Sequence, residues 1–141
     1  MRIFIYFLIV FITVSCKQKE LNEKSVLTKE NVEIVNSQGL LETNELTFNA
    51  GKIRKGTPIK HTFNFKNTGT EPVIILEKTM SCNCTNLKSS SDTIAPQQNT
   101  SLEATIDTKD KDPGYGEATI TVKTNGKRKF FLLTINFEII N

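Results

Sequence analysis

The chain has 141 residues, 38% of them hydrophobic, enough for one domain with a modest core and too few for two domains of ordinary size. Its net charge of +3 is spread along the sequence, which argues against a nucleic-acid surface. A single His, no Trp and scattered carboxylates leave little of the proton-transfer equipment that most enzymes use, so no enzymatic activity is expected.

The first sixteen residues read MRIFIYFLIVFITVSC, with a positive end at Arg2, an uncharged apolar run from Ile3 to Val14, and small Ser15 before Cys16. That run is shorter than the roughly 20 residues a bilayer-spanning helix needs, and it has the layout of an export signal. Thr13-Val14-Ser15-Cys16 resembles the lipobox of bacterial lipoproteins, although Thr13 stands where Leu is usual. The resemblance implies a signal peptide over residues 1–15 and a Cys16 that carries diacylglycerol as the new N-terminus. Each buried acyl CH₂ contributes about 0.8 kcal/mol, and more than one chain makes anchoring stable. Location in the bacterial cell envelope is therefore expected, with the protein lipid-anchored to a membrane and facing the periplasm or the exterior. Residues 16–41 are expected to be a polar tether: Lys17 to Ser37 carries charges of both signs, no Gly or Pro, and too little apolar surface to fold alone.

Downstream the pattern changes to short alternating runs broken by turn residues, so residues 42–141 are expected to form one all-β domain, an antiparallel sandwich. Glu45 to Phe48 opens it, Asn49-Ala50-Gly51 interrupts, and Ile53 follows before Gly56-Thr57-Pro58. From Ile59 to Lys66, residues His61, Phe63 and Phe65 share one face. Asn67-Thr68-Gly69 reads as the turn of a hairpin into Val73-Ile74-Ile75-Leu76, an apolar run suited to a central strand. A Ser-, Thr- and Asn-rich loop from Ser81 to Pro96 then precedes a strand with Leu102, Ala104 and Ile106 on one side. Gly114 and Gly116 lead into Ala118, Ile120 and Val122, and Asn125-Gly126 reads as a primed hairpin turn. The closing strand, Phe130 to Ile140, places Phe131, Leu133, Ile135, Phe137 and Ile139 together. The total is about seven strands in about 100 residues, the size of an immunoglobulin-like unit.

Several of these residues carry a family resemblance in order: Phe48-x-x-Gly51-x-Ile53, Gly56, His61-x-Phe63-x-Phe65-x-Asn67-Thr68-Gly69, Pro72, Ser81-Cys82-Asn83-Cys84-Thr85, Ile94-Ala95-Pro96, Gly114 and Thr124-Asn125. They resemble a bacterial domain-of-unknown-function family, number fifteen-seventy-three, across residues 43 to 139. The resemblance implies a short exported or lipid-anchored protein with an immunoglobulin-like fold of the major-sperm-protein and cilium-associated type. Two positions depart from it. Asn83 stands where Gly usually separates the cysteines, a change that Asn tolerates in a left-handed backbone. Gln97 stands where Gly follows the proline, which is expected to loosen that turn.

Cys82 and Cys84 are the candidate site. In an oxidising compartment they can form a disulfide, or a redox pair, because so short a loop restricts the unfolded chain little and stability is a poor reason for it. Two thiolates at this spacing also suit a soft ion such as Cu(I). If the hairpin register places His61 opposite Glu77, then His61 could join Cys82 and Cys84 as a third ligand. Against that, a lone His in an aromatic stripe reads more simply as a core or sheet-edge residue.

Asp107, Asp110 and Asp112 do not match a calcium loop, and Lys127-Arg128-Lys129 reads as a solvated turn. Ser89-Ser90-Ser91 lacks the context of a nucleophile. The leading expectation is a membrane-anchored, non-enzymatic binding or scaffold module with a protein partner in the cell envelope, no nucleic acid and no cofactor. The alternative is a thiol-based redox or Cu(I)-binding protein using Cys82 and Cys84.

Overall fold

The computed structural model describes residues 37–141. The expected signal peptide at residues 1–15, the lipid site Cys16 and the tether as far as residue 36 lie outside the described residues. The described part has no helix and nine strands: β1 (Leu41–Glu42), β2 (Thr47–Arg54), β3 (Ile59–Asn67), β4 (Val73–Met80), β5 (Thr85–Ser89), β6 (Thr93–Ile94), β7 (Asn99–Ile106), β8 (Gly114–Thr124) and β9 (Phe130–Ile140). They form two sheets, β1-β3-β7-β5 and β2-β9-β8-β4-β6, which pack as an immunoglobulin-like β-sandwich.

Period-two burial builds it. Phe63 and Phe65 of β3, Leu102, Ala104 and Ile106 of β7, Ile120 and Val122 of β8, and Phe131, Leu133 and Ile135 of β9 all turn inward and are nearly inaccessible. Phe65 meets Phe131 edge-to-face across the sheets, ring centroids 5.4 Å apart. Burying each such side chain contributes about 1.5–3 kcal/mol, so these alternating stripes hold the sheets together.

Four sequence expectations change. There are nine strands where about seven were expected: β1 and β6 are two-residue ribbons and β5 lies inside what read as one loop from Ser81 to Pro96, while Phe48 and Ile53 share the single strand β2. The sandwich is not wholly antiparallel: β2 runs parallel to β9, with a bulge between Asn49 and Lys52 where Gly51 takes φ +71°. β3 and β4 are not a hairpin. β3 pairs with β1 and β7, β4 with β8 and β6, and Asn67-Thr68-Gly69 carries the chain from one sheet to the other. His61 therefore lies opposite Ala104, not Glu77. Finally, β8 and β9 do form a hairpin, but Asn125 and Gly126 have no positive φ and make no primed turn.

The Asn residues in those connections serve another purpose. Buried Asn67 uses its whole amide: Nδ2 donates to Glu71 O (2.7 Å) and Ile94 O (3.0 Å), while Oδ1 accepts from Leu40 N (3.2 Å) and Gly69 N (3.0 Å). Asn125 Oδ1 likewise accepts from Ile74 N (2.7 Å). Gly69 and Gly126 allow backbone to approach, since a Cβ on Gly69 would stand 2.4 Å from Leu40 N and one on Gly126 2.9 Å from Gly39 O.

Into this framework fits the segment before β1. Ser37 N donates to Asn125 O (3.0 Å), Ser37 Oγ to Pro72 O (2.6 Å), and Gly39 O accepts from Lys127 N (2.9 Å). Packed chain thus includes Ser37, five residues upstream of the expected domain start at residue 42.

Candidate functional site

Cys82 and Cys84 occupy the link from β4 in one sheet to β5 in the other, and a disulfide joins them with their Cα atoms 5.1 Å apart. The link is tied on both sides. Ser81 N donates to Thr119 O of β8 (3.0 Å), and Cys84 O accepts from Asp107 N, just past β7 (2.9 Å). Within the link, Thr85 N donates to Cys82 O (3.1 Å), and the Cys84 N–H points at Cys82 Sγ, 3.1 Å away. Both cysteines are half-buried, but their surroundings differ: Cys84 packs against the hydrophobic core, whereas Cys82 has a cation beside it. Asn83 between them does not adopt positive φ, so its tolerance for that conformation goes unused.

The cation is Lys111, whose Nζ lies 3.9 Å from Cys82 Sγ and 5.3 Å from the centroid of the Phe137 ring. Two features set its position. The loop carrying it is fixed by Thr108, which is fully buried and whose Oγ1 donates to Thr57 O (2.8 Å). Phe137 in turn occupies space left by Gly116, where a Cβ would stand 2.3 Å from the ring. A recess of about 320 Å³ opens beside Lys111, lined also by Asp110, Asp112, Tyr115 and Phe137. Tyr115 is 90% exposed.

The structure does not bring His61 to the cysteines. It sits on β3, with β7 between it and β5, and its ring stacks on Phe48 (centroids 3.7 Å) and meets Phe63 edge-on (4.6 Å). Its Nε2 is 3.1 Å from Glu45 Oε2. The expected three-ligand set of Cys82, Cys84 and His61 is therefore not assembled, and among the described residues no group of three or more His, Cys, Asp or Glu side chains converges on a metal position.

The remaining candidates are structural. Asp107 Oδ1 accepts from Lys109 N (3.0 Å), and the serines at 89 to 91 bond to Asp92, Thr100 and Thr93.

Two features escaped sequence reasoning. Lys111 stands 27 residues from Cys84, with nothing local to connect them. Phe130 and Leu132, each 58% exposed, face outward on β9. Their signal was present, because an alternation that turns Phe131 and Leu133 inward must turn these two outward. A broader concavity of about 580 Å³ lies on the same outer face, at the β2 bulge, between Lys52, Tyr115, Glu117 and Glu138.

A family model, described as "Protein of unknown function (DUF1573)", matches residues 41–139. The chain belongs to the DUF1573 family. No curated protein matches it. Among solved structures, the DUF1573 domain is similar to a protein of unknown function from Porphyromonas gingivalis W83, at 18% identity and TM-score 0.65, over 74% of this chain and 49% of that one. It is also similar to the ASH / PapD-like domain of human CEP192, at 9% identity and TM-score 0.52, over 72% of this chain and 85% of that one. A family 123 glycoside hydrolase from Clostridium perfringens is similar at 15% identity and TM-score 0.58, over 70% of this chain and 23% of that one. The chain thus spans about half of the Porphyromonas protein and under a quarter of the hydrolase. At these identities the likeness shows the immunoglobulin/PapD-like fold alone.

Proposed function

We propose that this DUF1573 protein is a membrane-anchored, non-enzymatic β-sandwich module that binds a protein partner in the bacterial cell envelope. The observation that carries the reading is the pair Phe130 and Leu132. Single exposed apolar residues are ordinary, but here two large ones stand two residues apart on one face of one strand, at the rim of the basic turn Lys127-Arg128-Lys129. An apolar centre beside cations is the composition of a protein contact site, where aromatic and aliphatic anchors provide most of the energy. The open edges are less suited to it. β2 is bulged at Gly51 and carries Lys52 and Arg54, and β5 is five residues long, both of which discourage strand addition.

The lipid anchor at Cys16 supplies the membrane attachment in this reading. Palmitate labelling that depends on Cys16, and precursor accumulation in globomycin, are the expected results; an unlabelled, freely soluble product overturns the anchor. A photo-crosslinking amino acid at Leu132 is expected to capture a discrete envelope protein, and the same group at exposed Lys88 is not. With the crosslinking group at Phe130 instead, Leu132→Lys is expected to abolish capture with an unchanged melting temperature. No adduct at Leu132 in intact cells overturns the binding reading.

A further inference from the structure

We propose that Cys82 and Cys84 form a thiol–disulfide exchange site of fixed polarity, in which Cys82 is the exchanging sulfur, Lys111 its charge partner and Cys84 the resolving sulfur. The inference does not depend on the binding role of Phe130 and Leu132, which lie on β9 level with Glu77 and Thr79 of β4, short of the link that carries the cysteines.

The polarity follows from what surrounds each sulfur. Thiol–disulfide exchange carries its charge mainly on the attacking and leaving sulfurs, so a fixed cation and an N–H donor favour the sulfur they face as nucleophile and as leaving group, and the cation also draws an incoming thiolate to that side. Cys82 Sγ has both, Lys111 Nζ at 3.9 Å and Cys84 N–H at 3.1 Å. Cys84 instead packs against the hydrophobic core. Lys111 is also held rather than free to wander, because its ammonium lies over the Phe137 ring and its loop is pinned by Thr108. The recess beside Lys111 and the exposed Tyr115 ring leave room for a thiol-bearing segment of a partner to approach from that side.

The chemistry balances with the disulfide itself as oxidant. A thiolate of an exported dithiol substrate attacks Cys82 Sγ, the Cys82–Cys84 bond breaks, and Cys84 leaves and takes a proton from water. The substrate's second thiolate then attacks the substrate sulfur of the mixed disulfide, releasing Cys82 as a thiolate beside Lys111. Two electrons pass from the substrate dithiol, which becomes a disulfide, to the protein pair, which becomes two thiols.

The test uses the full chain in mild detergent, with Cys16→Ser so that Cys82 and Cys84 are the only two of the three cysteines remaining. The probe is bis(2-hydroxyethyl) disulfide, which is neutral, so that a cation near the sulfur acts on the protein thiol and not on the probe. With Cys84→Ser, Cys82 is expected to form the mixed disulfide about tenfold faster than Cys84 does with Cys82→Ser. Adding Lys111→Gln is expected to slow Cys82 by about fivefold and leave Cys84 unchanged, while Lys111→Arg keeps the rate within about twofold. Circular dichroism confirms that each variant is folded. Equal rates at the two sulfurs, or a Cys82 rate indifferent to Lys111→Gln in a folded protein, overturns the proposal. So does a wild-type disulfide that excess dithiothreitol opens only in denaturant, a measurement that needs no variant.

Discussion

Gln97 is held at φ 62°, the one residue other than glycine with positive φ among the described residues. An L-residue there costs roughly 1–2 kcal/mol relative to an ordinary conformation, because its Cβ crowds the following carbonyl. The position survives through its bonds: Gln97 N donates to Asn67 O (2.8 Å) and Nε2 to Thr68 O (3.3 Å). Gln97→Gly keeps the backbone bond and removes the crowding, so it is expected to stabilise the protein by about 1 kcal/mol. Urea unfolding at equal slope checks this, and a lower midpoint would refute it. This position was legible in advance, since the absent glycine after Pro96 already pointed to an awkward turn. The sulfur site was legible only by half. Two cysteines one residue apart name themselves, whereas Lys111 reaches Cys82 through a fold that no local spacing encodes.

At the level of strands, alternation tells which face a residue takes and says nothing of which strand lies beside it. That is why His61, Phe63 and Phe65 were placed on one face correctly while β3 was joined to the wrong neighbour. The run His61 to Lys66, the turn Asn67-Thr68-Gly69 and the run Val73 to Leu76 would read the same in a hairpin and in a crossing between sheets. What decides is the buried amide of Asn67, which binds chain just before β1, the crossing itself and β6. Asn67→Ala leaves two carbonyls and two N–H groups without that partner, and each unsatisfied buried group costs about 1–3 kcal/mol. With partial rescue by water, a loss of about 3 kcal/mol is expected, read as a lower denaturation midpoint; a change under about 1 kcal/mol would remove Asn67 from this role. β5 went unseen for a different reason: Thr85, Leu87 and Ser89 form too weak an inward stripe to stand out from a polar loop.

Across the whole molecule, the two ends of the sandwich differ. The segment from Ser37 enters beside the β8–β9 turn, near Val73 at the start of β4, whereas the disulfide follows Met80 at that strand's far end, about 25 Å away by strand rise. The disulfide is not what keeps the fold together. Closing a three-residue loop contributes only about 1.6 kcal/mol in the chain-entropy relation, small beside the aromatic core. A Cys82→Ser, Cys84→Ser protein is therefore expected to stay folded, with a stability loss of no more than about 2 kcal/mol and an unchanged far-ultraviolet spectrum. Loss of cooperative melting would contradict this.

The docking of residues 37–40 has a mechanical consequence. Any tension that arrives from upstream falls first on this segment, whose bonds run to three separate places: the β8–β9 turn through Asn125 and Lys127, the carbonyl of Pro72, and the end of β3 through Thr68. A pull must peel these contacts one after another before it can reach the sheets, so the segment acts as a strain relief, yielding in small steps while the aromatic interior stays shut.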